Sequence, residues 1–291
     1  MHILKMNSEN KTHSFETRVA YLTDKAKEIR INILKMIHKA QSGHPGGALS
    51  ASDIMAALYF DQLNIDPANP GWPERDRFVL SKGHACPVLY ACLAMKGFLP
   101  SDSMDTLRQL GSPFQGHPVA TKCPGIDATS GSLGIGMTEA VGMALEGKMT
   151  GKSYKVFTIC GDGELQEGII WEASNTANKY KLDNLILIID NNGLQNDGFG
   201  KNIMPMEPLE DKLRAFGWEV TMINGHKMDE ILNALEKGRI HRGKPFCILA
   251  NTVKGKGVSF MENIRGWHGR PPDDNQLEQA IKEINEGFGN E

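Results

Sequence analysis

The amino-acid sequence predicts an α/β fold, a parallel sheet with helices on both faces. Two observations predict it. Short apolar runs such as Val156 to Cys160, Leu185 to Ile189 and Phe246 to Ala250 lack the apolar–polar alternation of a sheet with one wet face, so they read as strands buried on both sides. Segments of helical periodicity separate these runs, the pattern of strand–helix–strand units joined in a parallel sheet.

The elements follow in order. Residues 1–13 are polar and are expected to form a flexible tail. Val19, Leu22, Ala26, Ile29, Ile33, Ile37 and Ala40 then recur every three or four residues, which predicts an amphipathic helix of about six turns. Ser42-Gly-His-Pro-Gly-Gly47 is expected to end it, because proline and glycine break helices. Ser52 to Leu63 predicts a second helix, Arg77 to Ser81 a short strand and Pro87 to Gly97 a further helix. Phe114 to Gly134 is rich in Gly, Pro, Ser and Thr and predicts a long functional loop. Thr138 to Gly147 predicts a helix whose small residues allow close packing. Ile169 to Lys181 predicts a helix between the strands at 156 and 185. Trp218 to Ile223, Met228 to Lys237 and Phe246 to Ala250 continue the alternation as strand, helix and strand. No internal repeat, low-complexity tract or linker interrupts the chain, so residues 14–291 are expected to form a single domain.

Composition narrows the function classes. The chain has 291 residues, 40% hydrophobic and 23% charged, with a formal net charge of −3, as expected of a packed globule rather than a disordered chain. Lys and Arg are dispersed, so no basic stripe points to nucleic acid or a membrane surface. The N-terminus lacks the apolar run of a signal peptide, and no 18-residue apolar span occurs. Cys86, Cys92, Cys123, Cys160 and Cys247 are odd in number and contain no Cys-x-x-Cys pair. Free thiols in a reducing cytoplasm fit that pattern better than a disulfide framework.

In open parallel sheets, ligands bind at the carboxyl ends of the strands. Two strands here end in oxygen-rich turns, one carrying Asp162 between two glycines and the next carrying Asn192. One strand–helix–strand unit fits between them, so the two turns can be neighbours. A carboxylate and an amide oxygen are hard ligands suited to Mg²⁺ or Ca²⁺, completed by phosphate oxygens. Glycines beside Asp162 let backbone amides approach a diphosphate. A lone Gly-Asp-Gly marks an ordinary turn; the pairing with Asn-Asn at the next strand end turns it into a candidate site.

Gly161-Asp-Gly163 followed by Asn191-Asn192 resembles the thiamine-diphosphate signature. Ser42-Gly-His-Pro-Gly46, Leu80-Ser-Lys-Gly-His84, Gly116-His-Pro118, Ser130-Gly-Ser-Leu-Gly134 and Gly161-Asp-Gly-Glu-Leu-Gln-Glu-Gly168 resemble transketolases, in the same order. The resemblance covers roughly residues 15 to 270. It implies the thiamine-diphosphate-binding fold, with Asp162, Asn192 and the backbone carbonyl of Leu194 holding the metal. It implies that Gly163, His84, His268, Gly131 and Leu133 contact the cofactor. His44 and His117 match residues near the reacting sugar, where imidazoles can hydrogen-bond and move protons. Glu167 matches a glutamate at the subunit interface that communicates with the partner's activating carboxylate.

Each residue also has a plain structural role open to it: Asp162 as a turn former, Asn192 as a left-handed residue after a strand, Glu167 as an acid at a helix N-terminus. His2, His13, His38, His226 and His241 match no motif. Two positions depart from the family pattern: Ile135 stands where many transketolases have Gln, and Asn196 where an aliphatic residue is usual.

A full transketolase adds a pyrimidine-binding domain and a C-terminal domain. The sequence is therefore expected to be the N-terminal subunit of a split transketolase, with ends that suit natural termini. With a partner carrying the missing half, in an α2β2 assembly, it would transfer a two-carbon ketol unit from a ketose phosphate to an aldose phosphate. Two alternatives are an α-type subunit of a 2-oxo acid dehydrogenase and a catalytically silent cofactor-binding subunit.

Overall fold

The computed structural model describes residues 13–288. Five strands form one sheet: β1 (Arg77–Leu80), β2 (Val156–Gly161), β3 (Leu185–Asn191), β4 (Glu219–Asn224) and β5 (Phe246–Asn251). All neighbours are parallel, in the order β1-β2-β3-β5-β4. Ten α-helices accompany it among the described residues: α1 (Phe15–Ala40), α2 (Pro45–Ser50), α3 (Ser52–Ala57), α4 (Cys86–Lys96), α5 (Ile135–Met149), α6 (Gly168–Lys179), α7 (Gly200–Ile203), α8 (Leu209–Ala215), α9 (Met228–Ile240) and α10 (Asp274–Glu286). The flexible tail expected at residues 1–13 lies, up to residue 12, outside the described residues, as do the last three.

Strand side chains alternate between two cores, one on each face. Phe78, Phe157, Ile186 and Phe246 sit in one register row and belong to one core with Leu22 and Ile33 of α1, Leu89 of α4, Ile231 of α9 and Ile284 of α10. Val79, Cys160, Leu187 and Leu249 point the other way, toward Met137 and Ala140 of α5, Ile170 of α6 and Leu213 of α8. Each fully buried Leu or Ile contributes about 1.5–3 kcal/mol of transfer free energy. Both faces are covered, which is why the strands read as unbroken apolar runs.

α1 starts at Ser14, whose Oγ accepts from Thr17 N at 3.2 Å, and ends where Gln41 turns left-handed. Residues 42–47 follow the expectation only in part. The chain breaks at Gly43, but Pro45 opens a new helix and Gly46 and Gly47 lie inside it. Proline at a first helical position gives up no internal hydrogen bond. Gly46 is required by a close approach: a Cβ there would sit 3.0 Å from Lys254 Cγ and from the Trp267 carbonyl oxygen. The helix expected over Ser52–Leu63 is α-helical only to Ala57 and widens into a π turn over Leu58–Gln62. That turn carries Asp61, which accepts two bonds from Arg18, at 2.9 and 2.7 Å.

A buried network ties α1 to α3. Arg30 is 4% exposed and Asp53 6%, and the two form an ion pair. Burial alone would raise the Asp53 pKa; Arg30 and a bond from His226 hold it at about 2. All five cysteines are buried and free. No helix of the described residues is long and apolar enough to cross a membrane.

Candidate functional site

Parallel pairing puts every strand's carboxyl end on one edge, and the site is assembled there. Gly161 of β2 is in register with Asp190 of β3, so Asp162 and Asn192 emerge side by side. Asp162 Oδ2 accepts from Gly193 N at 3.0 Å. Asn192 Oδ1 accepts from Leu194 N at 3.1 Å, and the Leu194 carbonyl accepts from Lys254 Nζ at 2.6 Å. These oxygens form one wall. Burial, then the neighbouring Asp190, raises the Asp162 pKa, as expected of a carboxylate placed to meet a cation.

Beneath it lies a buried ion pair. Asp190 is 0% exposed and Lys82 is 2% exposed, and their side chains are in contact. Ser50 Oγ donates to Asp190 at 2.6 Å and Asn192 Nδ2 at 3.1 Å, while Thr252 donates to its other oxygen. Lys82 also donates to the Gly47 carbonyl at 2.8 Å. Burial works against the charge on Asp190, but Lys82 prevails and lowers its pKa. One pair thus joins α2, the turn after β1, β3 and the turn after β5.

A second wall of the same cavity is made of imidazoles. His44, His84 and His268 form a triangle with ring centroids 5.3, 5.3 and 5.4 Å apart. Each is held neutral. Burial and then Arg108 bring His44 to about 4; burial and Lys82 bring His84 to about 2; burial and Lys254 bring His268 to about 3. Lys254 lies 2.7 Å from His268 Nδ1, and its own pKa falls to about 8 through burial and the nearby Lys82.

The two walls enclose a cavity of about 320 Å³. All the sequence-selected residues line it except His117 and Glu167: His44, His84, Gly131, Leu133, Asp162, Gly163, Asn192, Leu194 and His268. His117 stands at the rim, with its ring packed on Gly131, where a Cβ would come within 3.2 Å. The long loop holding both follows the expectation and carries no regular element over 114–134. Tyr90 Oη donates to the Gln115 and His117 carbonyls at 2.9 and 3.0 Å, and Ser130 Oγ to the Leu80 carbonyl at 2.7 Å. Glu167 is exposed at the start of α6 and caps no backbone group with its side chain. A larger hollow of about 470 Å³ adjoins the site beyond Asp162 and Asn192, lined by Phe199, Lys201, Met204 and Met206. The smaller cavity is the better candidate, because His44, His84, His268, Lys82 and Lys254 converge on it.

The residues fit a metal–diphosphate group. Carbonyl oxygens carry two lone pairs, so Asn192 and Leu194 can each ligate a cation while keeping an internal bond. Among the described residues no three His, Cys, Asp or Glu side chains gather as a metal site. The set offered is one carboxylate and two carbonyl oxygens, which a diphosphate would complete. The buried Nε2 of Gln195 has no acceptor, and Gln195 packs on Gly163, 3.2 Å from where a Cβ would stand. A donor left open beside a glycine suits an anion.

Sequence reasoning selects neither Lys82, Lys254, Asp190, Gln195 nor the buried Glu164. Glu164 accepts from Ser81 Oγ at 2.5 Å, Gly134 N at 2.8 Å and Gly161 N at 3.1 Å, tying the turn after β1 and the long loop to the end of β2. Lys254 follows β5 in Val-Lys-Gly-Lys-Gly, and the same strand-end rule that finds Asp162 would find it. His226, which matches no motif, receives a bond from Val253 N at 2.8 Å and contacts Asp53 at 2.8 Å, bracing the Lys254 turn against α3.

A domain described as the thiamine diphosphate binding domain of transketolase matches residues 22–290. The chain belongs to the transketolase family. It is 48% identical over 263 residues to a 6-deoxy-6-sulfo-D-fructose transketolase subunit of Clostridium sp. strain MSTE9, covering 90% of this chain and 96% of that protein. It is 41% identical over 269 residues to an apulose-4-phosphate transketolase subunit of Phocaeicola vulgatus, covering 92% and 95%. The crystal structure of Campylobacter jejuni transketolase superposes with a TM-score of 0.86 at 37% identity, over 91% of this chain and 42% of that one.

Proposed function

We propose that this chain is the thiamine-diphosphate half of a two-polypeptide transketolase. The observation that carries it is the convergence of the oxygen wall and the histidine wall on one cavity at the sheet edge. The chain also spans nearly the whole of relatives named as subunits, but 42% of a complete transketolase chain. The missing half would come from a partner with the pyrimidine-binding domain, in an α2β2 assembly closed by a two-fold axis. The family match sets aside the 2-oxo acid dehydrogenase alternative.

Asp162, Asn192 and the Leu194 carbonyl would hold Mg²⁺ or Ca²⁺. Gly163 and Gln195 would face the diphosphate, with Lys254 and His268 close by. Gly131 and Leu133 would lie along the cofactor. Bound thiamine diphosphate supplies an ylid and an electron sink. This chain's residues do the rest of their half: His44 and His117 orient the sugar at the mouth, and the neutral imidazole wall keeps the pocket dry and donor-rich. Glu167 would meet the partner at the interface, consistent with its exposure. The donor is a ketose bearing an anionic group, phosphate or sulfonate, and the acceptor an aldose phosphate. A cytoplasmic location fits the five free, buried thiols, and the single sheet supporting both cores fits one domain from residue 14 onward.

Reconstitution tests it. The chain and its partner, mixed with thiamine diphosphate and Mg²⁺, should transfer a two-carbon unit from one of a panel of ketose phosphates and sulfonates. The chain alone should not. Cofactor binding by the complex without transfer on any donor would favour a silent cofactor-binding role, and transfer by the isolated chain would contradict the split site.

A further inference from the structure

His44 reaches the cavity from the turn between α1 and α2, and another side chain stands behind it. Arg108 comes from the stretch before the long loop and holds a left-handed φ of 60°. Its backbone N–H donates to the Phe114 carbonyl at 2.8 Å. Its Nη1 donates to Ser42 Oγ at 2.9 Å, and its Nη2 lies 3.3 Å from His44 Nδ1. The guanidinium runs beneath Gly116, where a Cβ would meet Cζ at 3.4 Å. One side chain therefore joins the turn that carries His44 to the loop that carries His117.

A guanidinium has only donors and does not lose its proton in proteins. The contact with His44 is a hydrogen bond only if Nδ1 offers a lone pair. A neutral imidazole carries one proton, which must then sit on Nε2. We propose that Arg108 is a positioning residue that fixes His44 as the neutral Nε2–H tautomer and so presents a hydrogen-bond donor to the cavity. The Nε2–Cδ2 edge lies beside Gly269, where a Cβ would stand 3.5 Å from both atoms, and His44 lines the cavity.

The groups facing His44 are Arg108, His117, Lys254 and the rings of His84 and His268. All are cations or imidazoles, so all oppose protonation. Burial and Arg108 together bring its pKa to about 4. His44 consequently donates to a substrate oxygen and does not remove a proton from it. Only this last point rests on the function proposed above; the tautomer does not.

Nitrogen-15 NMR of the full 291-residue chain tests it, with His44 assigned by difference against His44→Gln. The expected spectrum has unprotonated Nδ1 and protonated Nε2 from about pH 8 to about pH 5. In Arg108→Met, His44 should bind a proton at least about tenfold more tightly and populate both tautomers. Arg108→Lys keeps a donor-only cation and should restore the single form in part. A proton on Nδ1 in the parent chain would overturn the assignment, as would an Arg108→Met spectrum identical to the parent's. Should Arg108→Met fail to fold, the parent spectrum decides alone. No activity is read, so a negative result bears on the tautomer and not on the proposed reaction.

Discussion

The oxygen wall and the histidine wall line one cavity but are built over very different spans of chain. Asp162, Asn192 and Leu194 lie between positions 162 and 194, at the ends of two adjacent strands. The register of β2 on β3 brings them together, and Asp190 and Lys254 then hold Asn192 and the Leu194 carbonyl. The histidines lie between positions 44 and 268, and three connecting segments must be placed before they meet. That placement uses the buried pairs Lys82 with Asp190 and Arg30 with Asp53, and the half-buried Arg108 behind His44. The oxygen wall is set mainly by the sheet, whereas the histidine wall depends on charged side chains that brace the loops carrying it.

The largest expected effect comes from breaking a strut. Asp53→Ala leaves Arg30 buried without its partner and removes the brace on His226 and the Lys254 turn. It should cost about 3–5 kcal/mol of stability, measured by urea unfolding. A loss under about 1 kcal/mol would show that the histidine wall does not need the strut.

The next effect separates the walls by chemistry. His44→Ala and His117→Ala should lower kcat of the assembled enzyme by about 10²-fold while changing thiamine diphosphate affinity far less. Steady-state kinetics at saturating cofactor checks this. A change confined to cofactor affinity would move both residues from the sugar to the cofactor.

Asp162→Ala and Asn192→Ala should do the reverse. Each removes a hard oxygen ligand, so metal-dependent cofactor affinity should fall at least about tenfold, or about 1.4 kcal/mol. Calorimetry with Mg²⁺ and with chelator reads it. Equal affinity under both conditions in the parent complex would remove the metal from the account.

A pH dependence of stability tests the three imidazoles together. His44, His84 and His268 have folded pKa values of about 4, 2 and 3 against an ordinary 6.5. Between those values the unfolded chain binds more protons than the folded one, so stability rises with pH there and is lost as pH falls below about 6.5. Asp53, held at about 2, keeps its full contribution above about pH 4. The melting temperature should therefore drop from pH 7 toward pH 4.5, and His84→Gln should flatten the slope. A parent chain with no slope in that window would mean that the imidazoles are not held neutral.

The same contrast explains what is legible in the sequence. Strands β2, β3 and β5 stand out as apolar runs because burial on both faces leaves no polar position to break them. Asp162 and Asn192 are legible because a strand-end turn is a local feature. His44 and His84 are reached through motif resemblance, not spacing. Arg108, Lys82 and Asp190 escape selection, because a buried or half-buried charge looks locally like a charge on a surface; only the tertiary partner distinguishes them. Gly46 and Gly47 look like helix breakers for the same reason: the neighbour that requires glycine at position 46, Lys254, lies far along the chain.

The central claim is that both walls serve one bound group. Its most direct test is a crystal structure of the chain with its partner, thiamine diphosphate and Mn²⁺ in place of Mg²⁺. The account predicts an anomalous-scattering peak coordinated by Asp162, Asn192 and the Leu194 carbonyl, with the cofactor running from it toward His44. A manganese peak elsewhere, or a cofactor seated in the larger hollow by Phe199 and Met204, would contradict it.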